Sequence, residues 1–192
     1  AAIDERVHLP RNYHIHWGGD FENLQSASRR LLIITPIVLL IILLLLYASL
    51  RSAKLALLIF LAVPIAASGG ILALAIREMP FSISAGVGFI ALFGQAVLNG
   101  VVMVSYFNSL RDQGMSGHDA AIEGSLVRFR TVLMTALLAM LGLLPMALSH
   151  GIGSETQRPF AVVIVGGIVS ATFFTLTLLP VLYRYFEKET EG

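Results

Sequence analysis

The chain has 192 residues, 56% of them apolar and only 13% charged, with a mean hydropathy of +0.81. A soluble domain is nearer half apolar and a quarter charged, so these totals exclude an ordinary globular protein and point to an integral membrane protein. A formal net charge of +1 makes no case for a nucleic-acid partner, and the absence of cysteine removes disulfides, thiolate metal sites and thiol nucleophiles.

Residues 1–30 are the only extended polar stretch. Tyr13, Ile15 and Trp17 alternate with His14 and His16, which predicts a short strand running into a Gly18-Gly19 turn. Asp20 is placed to cap a helix that starts at Phe21 and runs through Arg29-Arg30 into the membrane. Thirty such residues cannot enclose a core of their own. The opening AAIDERVHLP has neither an initiating Met nor a charged-then-apolar leader, so the chain is expected to be a piece of something longer. Residues 1–28 are then the end of a larger water-exposed domain.

Five apolar stretches follow, at about 31–50, 55–76, 83–108, 131–149 and 160–183, each near the roughly 20 residues a helix needs to cross hydrocarbon. The expected fold is therefore an all-α bundle of five transmembrane helices filling residues 29–187, with 188–192 as a tail. The first span is Leu/Ile all round, which suits a lipid-facing position. In the second, Ala62, Ala66 and Gly70 recur every four residues as a close-packing stripe; in the fifth, Gly166 with Ser170 and Gly167 with Ala171 do the same. Pro36 and Pro64 fall inside spans and are expected to bend them.

The third span is the expected centre of the bundle. Gln95 and Asn99 sit in its middle, one turn apart, and two amides on one face of an apolar helix need protein or water beside them. Gly86, Gly88, Gly94 and Gly100 let neighbouring backbones approach. Ser116 followed by Asp119 reads as a capping-box-like helix start. Ile122, Leu126 and Phe129 then share a face, predicting an amphipathic surface helix over about 117–129 that leads into the fourth span. The glycine-rich HGIGSETQRP stretch reads as a loop, with Pro159 in the first turn of the last helix.

With the N-terminus outside, inner flanks carry Arg51, Lys54, Arg111, Arg128, Arg130, Arg184 and Lys188; outer flanks carry Arg29, Arg30, Arg77 and Arg158. Seven against four favours that orientation, and Arg6 and Arg11 reduce the margin.

None of the twelve acidic residues lies within a span. A proton-driven pump needs a group at membrane depth that gains and loses a proton, and this chain offers partners for one instead. Arg128, Thr131 and Thr135 share a face of the fourth helix at steps of three and four. There an arginine holds an incoming carboxylate ionised, while a hydroxyl and an amide can bond either form. The plainer reading has Arg128 marking the membrane edge, Thr135 bonding its own backbone, and Gln95 and Asn99 joining helices. His14 and His16, with His8, share a strand face but lack a third ligand at fixed spacing, so no metal site is assigned and no cofactor is implied. Met134, Met140 and Met146 recur every six residues, which turns successive thioethers in different directions; core filling is the better account. The GIGS turn at 151–154 lacks the lysine of a phosphate loop. No nucleophile, base and orienting residue come together, which argues against an enzyme.

WGGDFEN at 17–23, VGFIALFGQAVLNGVVMVS at 87–105, the run from Arg128 to Ala161 and VVIVGGIVSATFFTLTLLPVLY at 162–183 resemble the resistance-nodulation-division exporters, and within them the heavy-metal efflux branch of cobalt–zinc–cadmium type. The resemblance implies that residues 1–28 end a periplasmic α/β porter domain and that the five spans are the last of twelve. It also implies a homotrimeric, proton-exchanging pump of the bacterial inner membrane, working with a periplasmic adaptor and an outer-membrane channel. By position, Asn99, Arg128 and Thr135 match the family's proton-relay partners, and the relay carboxylates belong to the N-terminal half; Gln95 and Thr131, which share helix faces with them, are secondary candidates. Drug exporters place Lys at the position of Leu98, and copper and silver pumps place a carboxylate there and Lys at Val132. Both positions are apolar here, which favours divalent cations. Thr131 replaces the proline usual after the Arg-x-Arg pair. An exporter of amphiphilic organic compounds, or an assembly-only membrane fragment, is the alternative.

Overall fold

The computed structural model describes residues 20–151 and 153–188. The strand and turn expected over 13–19, and the histidines at 8, 14 and 16, lie outside the described residues. Among the described residues, seven α-helices make up five membrane-length spans: α1 (Asp20–Leu50), α2 (Ala53–Phe60) with α3 (Ala62–Ile76), α4 (Ile83–Asp112), α5 (Gly117–Leu148), and α6 (Ser154–Phe173) with α7 (Leu179–Lys188). No strand occurs among the described residues.

Three helix starts are set by serine. The Ser52, Ser82 and Ser116 side chains each take up the backbone N–H three residues on, at 3.5, 3.2 and 3.1 Å. Each supplies a partner to a donor that the first helical turn leaves open. Ser116 also donates to the Asp119 carboxylate at 2.8 Å.

Prolines account for the interruptions. The second span breaks at Leu61, where the missing N–H of Pro64 leaves the Phe60 carbonyl without its donor. The fifth span widens into a π-helical turn at Phe174–Leu178, just ahead of Pro180. Pro36, by contrast, is carried inside a continuous α1.

Two boundaries differ from the sequence reading. The predicted surface helix over 117–129 and the fourth span are one unbroken helix, so α4 and α5 are joined by residues 113–116 alone. Arg128 to Arg130 look like a membrane edge by polarity, but nothing there interrupts the backbone hydrogen bonds. The last helix begins at Ser154, which puts Pro159 in its second turn rather than its first.

The last span occupies the middle of the bundle, with α6 against α3, α4 and α5. α4 is nearly as enclosed, and α1 is peripheral, with Leu46 its one buried apolar residue among those described. Lipid is as apolar as leucine, so close backbone approach and interhelical bonds must hold such helices together. The tightest seam joins α3 to α6 at Gly69 and Gly166. A Cβ on Gly69 would lie 2.7 Å from the Gly166 carbonyl, and one on Gly166 would lie 2.8 Å from the Gly69 carbonyl. A Cβ on Gly70 would lie 2.7 Å from the Phe89 ring and one on Gly100 2.7 Å from Ile59, and Gly167 lies against Leu92.

Polar ties close both ends. Arg77 Nη2 donates to the Ala147 carbonyl at 2.9 Å, one of the acceptors left open at the C-terminus of α5. The Ser84 hydroxyl donates to the Thr156 carbonyl, linking the starts of α4 and α6. At the opposite end the fully buried Tyr183 donates to Asn108 Oδ1 at 2.8 Å and sets its ring edge-on to Phe107 at 5.0 Å.

Candidate functional site: polar stripes on α4 and α5

Gln95, Asn99, Val102 and Tyr106 fall on one stripe of α4 at steps of four, three and four. The stripe borders the buried face that runs through Leu92, Ala96, Gly100 and Met103, and both amides are half-buried. On α5 the matching stripe is Arg128, Thr131, Thr135, Leu138 and Gly142, spaced three, four, three and four. Thr131, Thr135, Leu138 and Gly142 are exposed, and Arg128 is half-buried.

The stripes meet where the Arg128 guanidinium lies 4.6 Å over the Tyr106 ring. Such a cation–π contact contributes on the order of 0.5–2 kcal/mol. It does not meet the hydrogen-bonding needs of the guanidinium: Nε of Arg128 is buried with no hydrogen-bond partner among the described residues. A guanidinium nitrogen kept from water with no acceptor is costly, so an acceptor from elsewhere would find a prepared site.

α4 and α5 run antiparallel from this contact. Asn99 is seven residues before Tyr106 and Thr135 seven after Arg128, so each lies about 10 Å further along the same direction and they share a depth. No hydrogen bond joins Asn99, Gln95, Arg128 or Thr131 to one another among the described residues. Thr135 donates its hydroxyl to the Val132 carbonyl at 3.0 Å. Its proton is therefore committed, while its oxygen lone pairs can still accept. Gly94 and Gly142 have open space where a Cβ would be, so both helices present smooth ground beside the polar groups.

Leu98 and Val132 do not share one surface. Leu98 is exposed on the open side of α4, whereas Val132 is buried in the bundle. Met134 points outward, while Met140 and Met146 pack partly against the core. No group of three or more His, Asp or Glu suited to a metal occurs among the described residues. At the end of the bundle where α6 begins, a second guanidinium nitrogen, Nε of Arg158, is also buried and without a hydrogen-bond partner among the described residues, beside a cavity of about 370 Å3 lined by Ser82, His150 and Glu155.

Sequence reasoning missed Tyr106, although its step of seven from Asn99 places it on the same stripe. It also chose Gly70 and passed over Gly69, because the four-residue rhythm from Ala62 ends on Gly70. Which of two adjacent glycines meets the neighbouring backbone depends on how α3 is rotated, and no local pattern records that.

Five long apolar helices with a half-buried arginine and paired polar stripes define an α-helical, multi-pass membrane protein. The chain belongs to the AcrB/AcrD/AcrF family, whose sequence pattern matches residues 1–187. It is 52% identical over 191 residues to the cobalt-zinc-cadmium resistance protein CzcA of Cupriavidus metallidurans, covering 100% of this chain and 18% of that protein. To the nickel and cobalt resistance protein CnrA of the same organism it is 50% identical over 182 residues, covering 95% of this chain and 17% of that protein. The crystal structure of a heavy metal efflux pump superimposes with a TM-score of 0.80 at 45% identity, over 97% of this chain and 19% of that one. The chain thus spans under a fifth of the length of these relatives.

Proposed function

We propose that the chain supplies the last five spans of a proton-driven exporter of divalent heavy-metal cations of cobalt–zinc–cadmium type. In this reading residues 1–28 end a periplasmic porter domain, and residues 188–192 are a cytoplasmic tail. The intact pump is a homotrimer of the bacterial inner membrane, coupled to a periplasmic adaptor and an outer-membrane channel. The resistance functions in the relatives' names support the substrate class, and the share of their length covered supports the division of labour.

The observation that carries the mechanism is the Arg128 guanidinium, with Nε buried and without a hydrogen-bond partner among the described residues, on a stripe whose exposed ground runs on through Thr131 and Thr135 to the open Gly142. The N-terminal half brings carboxylates to that ground. The ionised acid is held by Arg128, and Asn99 can bond either form through its amide. Thr135, whose hydroxyl donates to the Val132 carbonyl, keeps lone pairs that accept from the protonated acid and so favours that form. Gln95 and Thr131 border the same path. Proton uptake thereby moves the acid from the guanidinium toward the hydroxyl, the helices shift, and the porter domains follow.

The test is metal-coupled proton flux by the intact transporter in proteoliposomes, with zinc and cobalt. Flux in the wild type, lost in Arg128→Ala with the trimer intact on a native gel, is expected. Wild-type flux in that variant would remove Arg128 from the relay, and no metal flux in the wild type would remove the exporter reading. The isolated chain, lacking the acids, is expected to carry no metal.

A further inference from the structure

At the end of the bundle where α5 begins, α5 and the last span leave a cavity of about 320 Å3 between two facing stripes. The α5 stripe runs His118, Ala121, Ser125; the other runs Leu176, Pro180, Arg184. The small Ala121 and Ser125 side chains leave the space between the two stripes unfilled, and Pro180, just after the π-helical turn, forms part of the opposite wall. The rim is apolar and open, with Leu126 73% and Val181 64% exposed. The end of the groove is different in kind. His118, in the first turn of α5, and Arg184, near the end of the last span, both line it at this end of the spans. Asp119, the acid nearest to His118 in the chain, is engaged by the Ser116 hydroxyl.

An apolar trough within the membrane-spanning region that ends on an exposed arginine and a histidine matches one amphiphile of the surroundings: a lipid with an anionic headgroup. We propose that this groove holds an acyl chain of an anionic glycerophospholipid, with its phosphate on Arg184 and His118. The lipid bridges α5, which carries Arg128, to the span at the centre of the bundle. Its assignment to the cytoplasmic leaflet rests on the orientation proposed above, whereas binding itself does not depend on export.

The test is native mass spectrometry of the intact transporter in detergent, titrated with phosphatidylglycerol and with phosphatidylcholine of the same chains. Phosphatidylglycerol is expected to bind more tightly, and Arg184→Gln should weaken it about fivefold while leaving phosphatidylcholine unchanged. Arg184→Lys, which keeps the charge, should retain binding, and Ser125→Leu, which fills the trough, should lose it. Equal binding of the two lipids, or undiminished phosphatidylglycerol binding in either Arg184→Gln or Ser125→Leu, would overturn the proposal. Lipid binding that persists in a transporter without metal flux would overturn the export reading alone.

Discussion

Gly166→Ala tests the packing that holds the bundle together. The added methyl would lie 2.8 Å from the Gly69 carbonyl and against Ala73. A carbon–oxygen contact normally rests at about 3.3–3.6 Å, so the carbonyl alone requires α3 and α6 to part by roughly 0.5–0.8 Å, and the closer Ala73 methyl requires more. A gap of about 0.5–1 Å forfeits a quarter to a half of each dispersion contact along the seam, and overpacking of this kind costs about 1–3 kcal/mol. Alanine is also the better helix former by about 1 kcal/mol, which would mask part of the loss. Gly142→Ala removes that ambiguity, because nothing lies within 4 Å of the added methyl. The difference between the two variants isolates the seam, with Gly166→Ala less stable by about 1–3 kcal/mol. Thermal unfolding in detergent, followed by retention of a monodisperse peak, measures it. Equal stability of the two variants would show that α3 and α6 are not in backbone contact at this point.

Tyr183→Phe removes the hydroxyl bonded to Asn108 and should cost about 0.6–1.7 kcal/mol in the same assay, since interhelical bonds in bilayers are modest. Arg77→Ala frees the Ala147 carbonyl near the membrane edge and should cost about 1 kcal/mol, with Arg77→Lys recovering part of it. In the intact transporter, Thr135→Val should raise the proton concentration needed for half-maximal export, because it removes the acceptor that favours the neutral acid; an unchanged pH profile would exclude Thr135 from the relay. Tyr106→Leu withdraws the ring under Arg128 and should reduce metal flux in part, well short of the loss in Arg128→Ala.

The five spans were legible because runs of some twenty apolar residues leave little choice of structure. Pro64 marked its break for the same reason: the lost hydrogen bond is local. Continuity of α5 was not legible, since Arg128 and Arg130 alter polarity without interrupting the backbone, and composition reads only polarity. The candidate site was half legible. Spacing alone put Gln95 with Asn99 and Arg128 with Thr131 and Thr135, because helical faces follow from residue number. That the stripes meet through Tyr106, and that Thr135 commits its proton to Val132, depends on helix rotation and a rotamer, which only tertiary packing decides.

The central claim is that the stripes on α4 and α5 await an acid carried by the other half of the transporter. A structure of the intact protein at a resolution that shows side chains measures this most directly. The expected result is an Asp or Glu oxygen within about 4–6 Å of the Arg128 guanidinium or the Asn99 amide. Asn99 and Arg128 turned to acyl chains or bulk water, with no carboxylate in that range, would contradict it.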